Sequence, residues 1–544
     1  MEVSVIGSSQ AKVGAMEVAY RELGFCSSSK AHPGLGKVFG SRSRIWFDQN
    51  RRWNNARLRL SPTNAVLSEP VRSTREVSGL AGRSKSFDAG VRLFVGLPLD
   101  VISDCNTVNH ARAITAGLKA LKLLGVEGVE LPVWWGIVEK EAIGKYEWSG
   151  YLALAEMVQN AGLKIHVSLC FHASKQSNIS LPDWVSQIGE SEPSIFFTDR
   201  SGQQYKECLS LAVDDLPVLH GKTPVQVYHD FCESFKSSFL CSMGSTIEGV
   251  SIGLGPDGEL RYPSYHQIAK AGTVPGVGEF QCYDKTMLSS LKQHAEATGN
   301  PYWGLGGPHD APSYDQPPNS NSFFKDHGGS WESPYGDFFL LWYSNQLINH
   351  GDRLLSMAAS VFEDTEIEIS GKVPLMHSWY GTRSHPLELT SGFYNTCHRD
   401  GYGEVAQMFA RNSCKMILAG MDLSDEHQPH DSLSSPELLL KQIMTSCRKH
   451  GIEISGQNSS VSGAPGGFEQ IRENLSGENL VNLFTYQRMG AYFFSPEHFP
   501  SFTKFVRSLN QPQLHSDDLL REEEEEAAEA IPMTSESSIN MQAA

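Results

Sequence analysis

No apolar run in this 544-residue chain approaches the roughly 20 residues that a membrane-crossing helix needs, so a soluble protein is expected. None of the ten cysteines falls in a C-x-x-C pair, and several sit in apolar runs. That favours buried thiols in a reducing compartment over disulfides or zinc, and no metal or cofactor is expected. Positive charge is scarce outside the N-terminal stretch. Residues 1–87 hold 14 Lys/Arg against 6 Asp/Glu, which leaves the remainder at −25 within a whole-chain charge of −17. An acidic body lacks the basic face that nucleic acid requires, and neither nucleic acid nor membrane is expected as a partner. A G-x-G-x-x-G after the first strand is also missing, which weighs against an open, doubly wound nucleotide fold.

The two ends differ from the middle. Residues 1–87 are Arg- and Ser-rich, acid-poor and non-periodic, and read as an organelle transit peptide followed by a disordered linker. A chloroplast stroma location is expected, with nuclear or cytoplasmic residence as the alternative. Residues 511–544, with the run Glu522–Glu526, read as an acidic disordered tail. Residues 88–510 are left as the folded body.

Within that body apolar strands alternate with amphipathic helices. Strands are expected near 91–98, 128–135, 163–171, 247–254, 369–377, 415–419, 452–456 and 481–484. The helices between them show apolar residues at helical spacing, as in Val108, Ala111, Ile114, Leu118 and Leu121, where Asn106 is the expected cap. Such alternation implies a parallel sheet covered by helices. Eight units fit an α/β (β/α)₈ TIM barrel with long βα-loops, among them the Gly/Pro/Asn/Ser-rich segment 301–334.

Barrel sites lie at the C-terminal ends of the strands. The polar residues expected there are His172 after strand three, Glu259 after strand four, Lys372 and His377 at strand five, Gln457 and Asn458 after strand seven and Arg488 after strand eight. Glu259 follows the sharp break Gly255-Pro256-Asp257-Gly258, close to Arg261, Tyr262 and Tyr265, a setting that suits a catalytic acid. Trp134, Trp135, Trp379 and Tyr380 suit either stacking on sugar faces or ordinary packing.

Several stretches resemble the plant β-amylase family of inverting glycoside hydrolases: Val133-Trp-Trp-Gly136, Phe171-His172, Gly253–Tyr265, Gly278–Lys285, Phe338–Asn345 and Leu389–Tyr394. The resemblance spans about residues 90–510. It implies a (β/α)₈ barrel of the kind that releases β-maltose from non-reducing ends of α-1,4-glucans. It makes Glu259 the counterpart of the general acid. His172, Lys372, His377, Asn458 and Arg488 become vestigial sugar-contact residues.

The departures from the family pattern carry more weight. The family's base is a Glu in Gly-Glu-Asn-Ala; this chain reads Gly456-Gln457-Asn458-Ser459. Inversion needs a second carboxylate to deprotonate water, and an amide cannot serve. The family's Asp after strand two is replaced by Pro132, and its inner-loop Thr aligns with Ala419. The Gly-rich lid with its Asp gives way to a shorter, carboxylate-free loop, Ala173–Ser180. The pattern is closest to a plastidial, inactive branch of the family. The expectation is a pseudoenzyme that regulates starch breakdown by binding α-glucan, another plastid starch-degrading enzyme such as an α-amylase, or both. The acidic tail and the 301–334 loop are the candidate contact surfaces. The alternative is a weakly active β-amylase with a relocated base, for which Glu469 is the candidate.

Overall fold

The computed structural model describes residues 91–265, 274–459, 466–476 and 481–510. The expectations for residues 1–87 and 511–544 lie outside them. Eight parallel strands close into a ring. They are β1 Arg92–Gly96, β2 Gly128–Trp134, β3 Lys164–Cys170, β4 Ile247–Ile252, β5 Glu368–Val373, β6 Lys415–Leu418, β7 Ile454–Gln457 and β8 Val481–Tyr486. Each is paired with its sequence neighbour, and β1 pairs with β8 in the register Arg92↔Leu483. The eight expected strands are all present.

Each strand feeds a covering helix: α1 Ala111–Leu124, α2 Ser149–Asn160, α3 Pro224–Phe239, α4 Pro334–Val361, α5 Tyr402–Arg411, α6 Pro436–His450, α7 Gly467–Leu475 and α8 Phe499–Asn510. Local chemistry sets several of their starts. Thr223 and Gln226 form a reciprocal capping box at α3, and the Ser333 hydroxyl accepts from Gly336 N at 3.1 Å at α4. No described helix is long and apolar enough to cross a membrane. The described cysteines are free thiols; burial pushes those of Cys170, Cys414 and Cys447 up to about 12.

Three local features differ from expectation. Asn106 does not cap α1. Its amide donates to Glu147 O at 2.5 Å and its oxygen accepts from Gly150 N at 3.0 Å, so it ties the loop to the start of α2. The fifth strand stops at Val373 rather than His377, because Pro374 has no N–H for the ladder. An antiparallel hairpin, Phe196–Thr198 with Gln204–Leu209, lies in the long β3–α3 connection, where too few residues alternate to announce it.

Trp135 is not on the rim. It is fully buried, donates Nε1–H to Glu139 Oε2 at 2.7 Å, and meets Phe171, Trp184 and Tyr228 edge-on at 5.4–6.2 Å. Trp379 is likewise buried and donates to Pro275 O at 2.8 Å. For both, packing is the reading that the structure supports. Trp135→Ala removes the hub of this aromatic cluster and the donor to Glu139 Oε2, leaving that carboxyl with Gly144 N on Oε1. Chemical denaturation is expected to show a loss of about 3–5 kcal/mol. A loss under about 1 kcal/mol would contradict the role.

Candidate functional site

The rim of the barrel gathers side chains from loops far apart in sequence. Glu259 follows a tight turn, Pro256–Gly258, in which Asp257 adopts φ 55° and Gly258 φ 77°. The backbone after it is fixed by Leu260 N donating to Lys372 O at 2.9 Å, which brings the Glu259 segment against the end of β5. Arg261 then engages two carboxylates, donating from Nε to Glu259 Oε2 at 2.8 Å and from Nη2 to Asp257 Oδ2 at 2.6 Å. Burial opposes the charge of Arg261, but these two anions hold it firmly protonated.

His172 lies beside the same turn: a Cβ placed on Gly258 would be 3.4 Å from its Cε1. Its ring meets Trp134 edge-on at 5.3 Å. It is 6% exposed, and its Nδ1 has no hydrogen-bond partner. Burial lowers its pKa to about 4; Asp257 pulls the other way, and the charges of Lys372 and Arg261 reinforce the fall. His377, on the loop after β5, is brought to about 4 by burial and bonds Ser434 Oγ through Nδ1 at 2.6 Å.

The base position is the end of β7. Gln457 is 4% exposed there, and β7 is three steps around the eight-stranded ring from β4, nearly opposite the strand that leads to Glu259. Asn458 is turned to a structural task. Its Oδ1 accepts from Gln487 N at 2.6 Å and its Nδ2 donates to Gln487 O at 2.8 Å, clamping the end of β8. Ala419 follows β6 and offers no hydroxyl.

Pro132 sits within β2, opposite Ser168 of β3. The β1 ladder ends at Gly96↔Glu130, and Leu97 N donates to Glu130 O. Alternation turns the Pro132 nitrogen to that same side, where it has no N–H to give, and Leu97 O accepts from Arg488 Nη1 at 2.6 Å. The loop Ala173–Ser180 folds back on itself through Ser174–Ile179 backbone bonds of 2.8 and 2.9 Å. It is also tied to the hairpin, with Ala173 N donating to Glu207 O at 2.6 Å and Lys175 paired with Glu207.

Other carboxylates at the rim are engaged. Asp422, after β6, accepts from Ser459 N at 2.5 Å and Ser459 Oγ at 2.6 Å, and burial raises its pKa. Glu469 is exposed on α7 and lines a cleft of about 370 Å³ between α7 and α8, with Arg472, Tyr492 and Lys504, away from the strand ends. Glu130 is the residue that sequence patterning passes over. It is the lone charge in the apolar run Gly128–Trp134, and that isolation is the signal that could have singled it out. Among the described residues no group of three His, Cys, Asp or Glu side chains is gathered to hold a metal ion.

The family model of glycosyl hydrolase family 14 matches residues 94–513. Among curated proteins the chain is similar to inactive beta-amylase 9 of Arabidopsis thaliana, at 61% identity over 97% of both chains. It is similar to chloroplastic beta-amylase 1 of the same species at 42% identity, over 81% of this chain and 79% of that one. Among solved structures, the catalytic domain of β-amylase from Paenibacillus polymyxa matches with a TM-score of 0.64 at 26% identity, covering 77% of this chain and 99% of that one. With its closed (β/α)₈ barrel, the chain belongs to glycosyl hydrolase family 14, the β-amylase family.

Proposed function

We propose that this protein is a pseudoenzyme, a β-amylase barrel that does not turn over α-1,4-glucan and acts on plastid starch breakdown by binding. The observation that carries this is Gln457, a buried amide where an inverting hydrolase needs a base. An amide orients water but does not take its proton, and loss of a general base costs ~10²–10⁴-fold in rate. Pro132, Ala419 and the self-closed loop Ala173–Ser180 remove further substrate contacts. The similar protein of Arabidopsis thaliana carries the word inactive in its name, which supports the same reading.

A glucan-binding role is favoured by His172. Its Nδ1 is buried and unpartnered, an arrangement that a ligand hydroxyl would satisfy. Lys372 and His377 are proposed as vestigial contacts beside it. Binding to another starch-degrading enzyme such as an α-amylase would use the insertion between β4 and α4, where Tyr302 and Leu305 are 84% and 82% exposed. Plastid residence is supported by the acid-poor N-terminal stretch and by chloroplastic relatives such as beta-amylase 1.

Reducing-sugar release from soluble starch is expected to fall at least about 100-fold below that of an active family member. Rates within a few-fold of that enzyme would reject the proposal. Gln457→Glu alone is expected to leave turnover at the wild-type level, since Pro132 and the short loop remain; recovery of maltose release would show those changes to be tolerated. In calorimetry with maltotetraose, His172→Phe is expected to abolish the heat seen with wild type. Equal heats for the two proteins would remove His172 from the site.

A further inference from the structure

Glu130 is an ionisable group that the lost hydrolytic reaction leaves unexplained. It lies in the middle of β2, 4% exposed, the one carboxylate among buried polar side chains such as His166, Ser370 and Gln457 on other strands of the barrel. Each of its oxygens is engaged. Oε1 accepts from Ser168 Oγ on β3 at 2.7 Å; Oε2 accepts from Gln487 Nε2 at 2.9 Å and lies 3.9 Å from Arg488 Nη1. Gln487 and Arg488 follow β8, on the far side of β1, so these contacts pass over β1. Gly96 leaves the gap: a Cβ there would stand 2.5 Å from Gln487 Oε1 and 3.0 Å from Glu130 Oε2.

The surrounding charges favour the anion. Burial alone would raise the Glu130 pKa, yet Arg488, Lys372 and the two hydrogen bonds hold it below the ordinary carboxylate value. Arg488 is partly buried, with 28% of its side chain exposed, and its Nη1 donates to Leu97 O at 2.6 Å. Gln487 spends its amide nitrogen on Glu130 and leaves its Oε1 buried without a partner. An unsatisfied buried acceptor costs free energy. The amide is held in this orientation by the carboxylate.

We propose that Glu130 is a resident anion: from within the chain it occupies the cationic pair Arg488 and Lys372 as an acidic ligand would, so the barrel mouth refuses phosphorylated or carboxylated sugars and admits only neutral ones. The neutral-ligand half rests on the glucan-binding reading above. The anion half does not, and it can be measured alone.

The test is thermal unfolding in about 10 mM inorganic phosphate against chloride at matched ionic strength, since an anion that binds only the folded state raises Tm. Wild type is expected to show no phosphate-specific rise. Glu130→Gln is expected to rise by several degrees, and the double variant Glu130→Gln/Arg488→Gln is expected to lose that rise. A purely structural ion pair would give no phosphate effect in any of the three. A folded Glu130→Gln without the rise, or a wild type with an equal rise, overturns the proposal. If Glu130→Gln does not fold in chloride, refolding in phosphate decides: a cooperative transition recovered in phosphate and not in chloride supports the proposal, and failure to recover in phosphate overturns it.

Discussion

Closure of the sheet is the constraint on which the rest depends. Because β1 pairs with β8 as well as β2, all eight parallel strands end at one rim. Loops separated by hundreds of residues must therefore meet there, and Glu259, His172, Gln457 and Arg488 share a neighbourhood through topology alone. The cohesion of the ring comes from apolar side chains such as Val129, Val167, Val250 and Leu418, all essentially buried. The rim contributes little of it, so its chemistry can be exchanged residue by residue while the barrel persists.

The exchanges fit their places. Gln457 nearly matches glutamate in shape, and beside Pro132 the Leu97 carbonyl is satisfied by Arg488. What changes is charge. Removing carboxylates from a rim that keeps Lys372 and Arg488 would leave partly buried cations without counter-ions, a costly condition. In this molecule Glu130 faces Arg488, Arg261 faces Glu259 and Asp257, and Asp422 is held by Ser459.

The barrel was legible in the sequence because buried parallel strands and their covering helices carry strong periodic signals; all eight strands fall where patterning puts them. Ends were less legible. Pro374 cut β5 short, and Asn106 was drawn off by the α2 start, a contact no local window contains. The rim positions were readable because each follows a strand, but their states were not. That Asn458 clamps Gln487 depends on a residue 29 positions away, and that Trp135 is a packing hub depends on rings between 36 and 93 positions away. Glu130 shows the limit most clearly. A single carboxylate in an apolar run is visible, but its partners come from β3 and from the far side of β1.

The absence of a base opposite Glu259 is tested most directly by proton NMR of maltotetraose incubated with a stoichiometric amount of the purified protein. The anomeric signals are followed far beyond the time an ordinary hydrolase needs for one turnover. The account predicts that maltotetraose stays intact, with no β-maltose appearing. Prompt growth of the β-maltose signal, in proportion to protein, would contradict it.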